Sequence, residues 1–153
     1  MGRIENTITI WRDFDTVFDL SNQIELWPQL FTEYKEAAII EQKENEIKFR
    51  LVTHPRDGKE SKSWISKRII EKDKKRAIAE RIDPKYPFEF MHIKWLYNVL
   101  DTDLTQMIWI QEFKVHPDLK DKGVTEEQMQ DYLNKNTIIQ MKSVKEKIEA
   151  WKF

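Results

Sequence analysis

Trp64, Ser66 and Arg68 are spaced two residues apart, and their types are the first sign of chemistry in this chain. In an extended segment alternate side chains share a face. The Ser63–Ile70 run therefore sets an indole, a hydroxyl and a guanidinium on one side, with Ile65, Lys67 and Ile69 on the other. If the Trp64 face points inward, Arg68 is a buried cation that needs an acceptor or a ligand. If it points outward, Arg68 is solvated and Trp64 lies at an edge. Arg81 poses the same choice. It shares a phase with Ala77 and Ala79, small residues that leave room beside an inward guanidinium. The alternative is a surface ion pair with Glu80 or Asp83, of a kind that contributes little. An arginine stays protonated at ordinary pH, so it is a poor base and a good partner for an oxygen anion. Gln111 interrupts the apolar pair Trp109 and Phe113, and Thr137 and Gln140 fall on the stripe of Leu133, Met141 and Val144. Such intruders face polar partners or line a wet pocket.

Other chemistries are poorly provided for. His54 and His116 each precede a proline in turn-like segments, and His92 falls on the phase opposite Met91 and Trp95. No histidine pair has metal spacing and no Ser-His-acid order stands out, so no metal site is expected. The absence of cysteine removes disulfides and thiolate catalysis. Lys and Arg total 26 against 27 Asp and Glu, a net charge of -1 that argues against a nucleic-acid footprint. Apolar runs fall far short of the roughly 20 residues of a membrane span. Glu5, Arg12 and Asp13 break up the opening stretch, so no secretory leader is expected, and the reading is cytoplasmic.

The elements that must position these residues follow from periodicity. The 153 residues suit one domain, 1–153, with no linker or repeat. Ile4, Ile8 and Ile10 mark a strand over 4–11; Asp13 caps a helix through Phe14, Val17 and Phe18 that ends near Ser21–Asn22. A break is expected at Trp27–Pro28, because proline disfavours helix in the residue before it. Ala37–Glu41 and Ile47–Val52, Ser63–Ile70 and Ala77–Ile82, and Phe88–Leu100 and Thr105–Val115 form three hairpins, and so an antiparallel sheet. Met91, Ile93, Trp95, Tyr97 and Val99 present one large apolar face. Thr125 with Gln128 is a capping box opening an amphipathic helix of about 25 residues with Met129, Leu133, Met141, Val144, Ile148 and Trp151 on its stripe. The class is α+β, with the helix burying its stripe on a curved sheet that can leave a cavity between them. Six Trp, eight Phe and four Tyr either fill that core or line the cavity for a flat ligand.

The stretch Asn22-Gln-Ile-Glu-Leu-Trp27-Pro28-Gln-Leu-Phe31-Thr-Glu-Tyr34 resembles the opening of tetracenomycin-type polyketide aromatase/cyclases, which carry N-D-I-E-x-W-P-x-L-F-x-E-Y. The similarity runs on through Phe49-Arg50-Leu51, Trp64-Ile-Ser66-Lys-Arg68 and Arg81. It then takes in Phe88 to Tyr97, Trp109 to Phe113, Leu133-Asn134 and Met141, covering almost the whole chain. It implies a helix-grip fold of the START/Bet v1-like type: a curved seven-stranded antiparallel sheet around a long C-terminal helix, with an internal cavity.

The resemblance also implies an activity, the regiospecific aldol cyclisation and dehydration of a poly-β-ketone carried on an acyl carrier protein. Trp27, Phe31, Tyr34, Phe49, Trp64, Ser66, Arg68, Arg81, Phe88, Met91, Trp95, Trp109 and Gln111 are its expected pocket residues, with Thr137 and Gln140 on the helix. Gln140 stands where a family representative has Asn. On this reading Arg68 holds the carbonyl that becomes alkoxide, Tyr34 and Ser66 relay protons, and Arg81 steers the chain or its phosphopantetheine end. No cofactor is called for. The partners are the carrier protein and type II polyketide synthase components, without nucleic acid or membrane, the protein being a monomer or a homodimer. The competing hypotheses are a non-enzymatic carrier of hydrophobic small molecules or lipids on the same fold, and a lipid-surface or quinone-binding module. Arg68, Ser66 and Tyr34 discriminate, since a passive carrier has little use for polar groups deep in an apolar cavity.

Overall fold

The computed structural model describes residues 1–56 and 58–153. Strand β1 (Gly2–Ile10) leads into helix α1 (Phe14–Ser21), a 3-10 turn (Ile24–Leu26) and the short helix α2 (Trp27–Leu30). Strands β2 (Tyr34–Lys43), β3 (Glu46–Thr53), β4 (Ser63–Glu71), β5 (Arg76–Asp83), β6 (Phe88–Asp101) and β7 (Leu104–Val115) follow as hairpins. A short helix, α3 (Pro117–Asp121), then precedes the long α4 (Glu126–Glu149). Among the described residues the seven strands make one antiparallel sheet, ordered β1-β7-β6-β5-β4-β3-β2.

The three expected hairpins are present, and the capping box at Thr125 and Gln128 is formed from both sides. Helix α4 buries Thr137, Gln140, Met141, Ser143, Val144 and Ile148 against the concave side of the sheet and against α1 and α2. Met129 and Leu133 pack instead on a second cluster, Phe88, Met91, Phe113 and Val115, at the far end of the sheet. That division explains why the stripe admits Thr and Gln: they sit at the junction of two apolar patches.

Three expectations are corrected. Pro28 does not end a helix but lies in the first turn of α2, with Trp27 itself in helical geometry. At that position proline gives up only an N–H that has no intrahelical acceptor. The apolar face of β6 stops at Tyr97, since Val99 is 50% exposed where the β6–β7 hairpin runs past the core. His116 and Pro117, expected in a turn, open helix α3 instead; the His116 side chain caps it, accepting from the Asp118 N–H.

Gly2 pairs with Phe113 across β1 and β7, and a Cβ built on it would run into the Phe113 ring. That ring is fully buried and has little room to yield. Gly2→Ala is therefore expected to destabilise the protein by about 1–3 kcal/mol through overpacking, measured as a lower urea midpoint at unchanged slope.

Candidate active site

The inward face of β4 is the one carrying Ser66 and Arg68. Register sets Ser66 between Phe49 and Arg81, and Arg68 between Ile47 and Ala79. Ala77 and Ala79 are buried beside it, so small side chains on β5 do make the room for the guanidinium. Arg68 is 1% exposed. Its Nε and Nη2 donate to Asn22 Oδ1 at 3.0 and 2.9 Å. Its guanidinium carbon sits 4.1 Å from the centre of the Trp95 ring and 5.3 Å from that of Trp27. No carboxylate among the described residues forms a salt bridge with it. Burial pulls its pKa down to about 10, so it is still a cation at neutral pH.

Aromatic rings enclose this charge. Trp95 and Trp109 stack at 4.3 Å with their planes 2° apart. Trp27 stacks on Trp95 at 5.8 Å and on Tyr34 at 5.9 Å, while Phe31 stacks on Trp109 at 5.8 Å. Phe49 meets Trp27 edge-on, and Trp64 meets Tyr34 in the same way. The Trp27 indole N–H donates to Ser21 O at 3.0 Å. The Trp109 indole nitrogen is buried and has no hydrogen-bond partner among the described residues. These rings pack on one another in the space between the sheet and α4. The pockets seen around Pro55, Arg56 and Lys59 and on the outer face around Ile69, Ile78 and Ile110 lie away from them.

Arg81 is half-buried at the rim. It makes no ion pair with Glu80 or Asp83: Nε donates to Pro84 O and Nη2 to Tyr86 O, both at 2.8 Å. Its guanidinium lies 4.3 Å over Trp64 and 5.7 Å from Phe88. Burial pulls this pKa, too, down to about 10. Arg81 thus ties the turn after β5 to the aromatic wall.

The other expected site residues divide into groups. Trp27, Phe31, Tyr34, Phe49, Ser66, Arg68, Trp95 and Trp109 are buried together, with Trp64 partly buried at their margin. Met91 and Phe88 belong to the second cluster. Gln111 donates to Thr137 Oγ1 at 2.7 Å, so these two satisfy each other. Gln140 is occupied by Thr32, accepting its N–H and donating to its hydroxyl, both at 2.8 Å.

Residues missed from sequence complete the site. Asn22 Nδ2 donates to Tyr97 Oη at 2.9 Å and to Phe18 O at 2.9 Å, and Ser21 Oγ lies 2.8 Å from the same phenol. Asn22 also ends α1, and in the sequence that role hides the other. Ser143 donates to Leu30 O at 2.7 Å and Asn136 to Glu33 Oε2 at 2.9 Å. Burial raises the Glu33 carboxyl pKa against the opposing Asn136 bond. Nothing in its spacing marked it beyond its place in the Glu33-Tyr34 pair.

Comparison with solved structures places this architecture in the helix-grip, START-like fold. The aromatase/cyclase ZhuI from a Streptomyces species superposes with a TM-score of 0.85 at 17% identity, over 97% of this chain and 93% of that one. One unit of the di-domain ARO/CYC BexL gives 0.83 at 17% identity, over 97% of this chain and 47% of that one. A START superfamily protein from Mycobacterium smegmatis gives 0.79 at 15% identity, over 96% and 97%. At these identities the likeness is one of fold. No family model matches the sequence. A Streptomyces cyaneus protein named "Putative polyketide cyclase" is 37% identical over 150 residues, 97% of this chain and 94% of its own length. A Streptomyces halstedii protein of the same name is 40% identical over 97 residues, 63% of this chain and 88% of its own length. The chain belongs to the polyketide cyclase family.

Burial raises the pKa of both Tyr34 and Tyr97 above the ordinary 10.0, in the case of Tyr34 by a wide margin and with the Glu33 carboxylate adding to it. A raised folded pKa contributes stability that is complete below the unfolded value and is lost as pH rises through the folded one. Above pH 10 the contribution of these two phenols should therefore be lost. The Tyr97→Phe variant, lacking one such phenol, should fall less steeply than wild type in urea midpoints taken across that range, whatever its stability at neutral pH.

Proposed function

We propose that this protein is a cofactor-independent aldol cyclase and dehydratase that closes and aromatises the first ring of a poly-β-ketone tethered to an acyl carrier protein. The observation that carries the reading is Arg68: a guanidinium almost wholly removed from water, without a carboxylate, inside a box of aromatic rings. Burial of an unpaired charge is costly, and it is retained where an anion has to be met. Membership of the polyketide cyclase family supports the substrate class.

A carbon between two ketones is already acidic, so its deprotonation needs positioning more than a strong base. The enolate carbon attacks a second ketone, a carbon–carbon bond forms, and the electron pair of the carbonyl moves onto oxygen. Arg68 holds that alkoxide. Tyr34 is kept as a neutral phenol by its raised pKa, and so has a proton to give to the alkoxide oxygen. Ser66, buried on the same face as Arg68, carries the proton released from that carbon, directly or through water, to the phenolate that Tyr34 becomes. Loss of an α proton and of the hydroxyl as water then yields the double bond that leads to the aromatic ring. Holding the reacting carbons together contributes several kcal/mol by itself.

The stacked rings have to part for a chain to enter, and stacking on the nascent ring replaces the contacts they lose. Arg81, at the rim, meets the chain or its phosphopantetheine arm. The acyl carrier protein and type II synthase components are the proposed partners, in the cytoplasm; no described helix is long and apolar enough to cross a membrane.

The test is a product profile from a minimal polyketide synthase, run with and without this protein. Wild type is expected to replace shunt products with one ring pattern, which also reports the register of closure. Arg68→Ala should lower that product's rate by about 10²–10³-fold, the effect of removing one oxyanion donor, and Tyr34→Phe should lower it less. If wild type leaves the profile unchanged, the reading is wrong and the protein is better described as a carrier of hydrophobic ligands.

A further inference from the structure

The partners of Arg68 share one property: none carries a negative charge. Asn22 Oδ1 accepts from two of its nitrogens at once, at 3.0 and 2.9 Å. The Asn22 amide is held in its turn, because its nitrogen donates to Tyr97 Oη and Phe18 O, both at 2.9 Å. Tyr97 Oη is held by Ser21 Oγ at 2.8 Å. The Asn22, Tyr97 and Ser21 side chains are 7%, 2% and 1% exposed, so the assembly is dry. The titratable groups that face Arg68 are two phenols, Tyr97 and Tyr34, both kept neutral by burial. Indole faces take up the remaining directions.

A carboxylate at position 22 would bind the guanidinium more strongly, although its second oxygen would face the Phe18 carbonyl that the amide N–H now satisfies. It would also cancel the charge. An amide can fix the plane of the fork and its direction while leaving the whole positive charge for a ligand. We propose that Asn22, braced by Tyr97 and Ser21, is a positioning residue that orients Arg68 without neutralising it, so that the site selects enolate and phenolate oxygens over their neutral forms. This rests on the reading of Arg68 as the group that receives the oxygen anion, and it adds to that reading which residue keeps the charge available.

The chromogenic phenol p-nitrophenol tests it without turnover, since its anion and neutral form absorb at different wavelengths. Titrated in the presence of excess protein, the probe should ionise about one pH unit lower with wild type than in buffer. That shift is about a tenfold preference for the anion. Asn22→Asp should abolish the shift in protein that still folds and unfolds cooperatively, an outcome that a merely structural asparagine would not produce. Tyr97→Phe covers the case in which Asn22→Asp does not fold: with the brace removed, the preference should fall about threefold. A wild-type protein that leaves the ionisation of the probe unchanged overturns the proposal. So does an Asn22→Asp variant that shifts it as far as wild type does. Failure of the cyclase reading gives a different result, a wild type that prefers the anion yet forms no ring from a polyketone chain.

Discussion

A positive charge buried among indoles, with an amide for its main partner, is the constraint around which the rest of this molecule is arranged. Desolvation of the Arg68 guanidinium costs free energy that its bonds to Asn22 and its contact with Trp95 only partly return. The surrounding structure has to hold the charge in place nonetheless. Three separate segments do so. Asn22 comes from the end of α1, Arg68 from the middle of β4, and Tyr97 from β6. Small side chains on β5 leave the space, and the aromatic rings exclude the water that would otherwise screen the charge. Low local polarity strengthens whatever the guanidinium then attracts.

The second layer of organisation is on α4. Asn136, Gln140 and Ser143 lie about one turn apart along the helix, and each bonds to a residue at the end of α2 or just after it, Glu33, Thr32 and Leu30 in turn. That segment carries Phe31 and leads into Tyr34, so the helix fixes two of the rings of the box through polar struts as well as through apolar contact. The Gln111–Thr137 bond ties the same helix to β7 at the junction of the two apolar clusters. Polar residues on a buried stripe are costly unless each finds a partner, and here each does.

Much of the fold could be read from the chain because its cues are local. Alternation marked the hairpins, and the Thr125–Gln128 box marked the start of the long helix. The inward phase of Arg68 was one of two open choices, and the alanines at 77 and 79 pointed to the one that holds. Asn22 was less legible. Its partners lie 46 and 75 residues away in sequence, so no spacing rule reaches them. Gln140 shows the same limit from the other side: its type suggested a lining residue, while its bonds to Thr32 are a matter of tertiary placement. The way the rings stack on one another was not legible either, since eighteen aromatic residues are compatible with many arrangements.

The order of the sheet bears on how the chain can come together as it is made. Strand β1 has one neighbour, β7, and the pairing runs from Gly2 opposite Phe113 to Ile10 opposite Thr105. A nascent chain leaving the ribosome therefore presents β1 first and must wait for most of the sheet to be synthesised before that strand finds its partner. Through that interval the strand is an open edge, able to pair with another copy of itself. Its outward positions carry Arg3 and Glu5, and charges on an unpaired strand discourage such pairing. The alternation that gives β1 one wet face in the finished molecule also protects it while the molecule is incomplete.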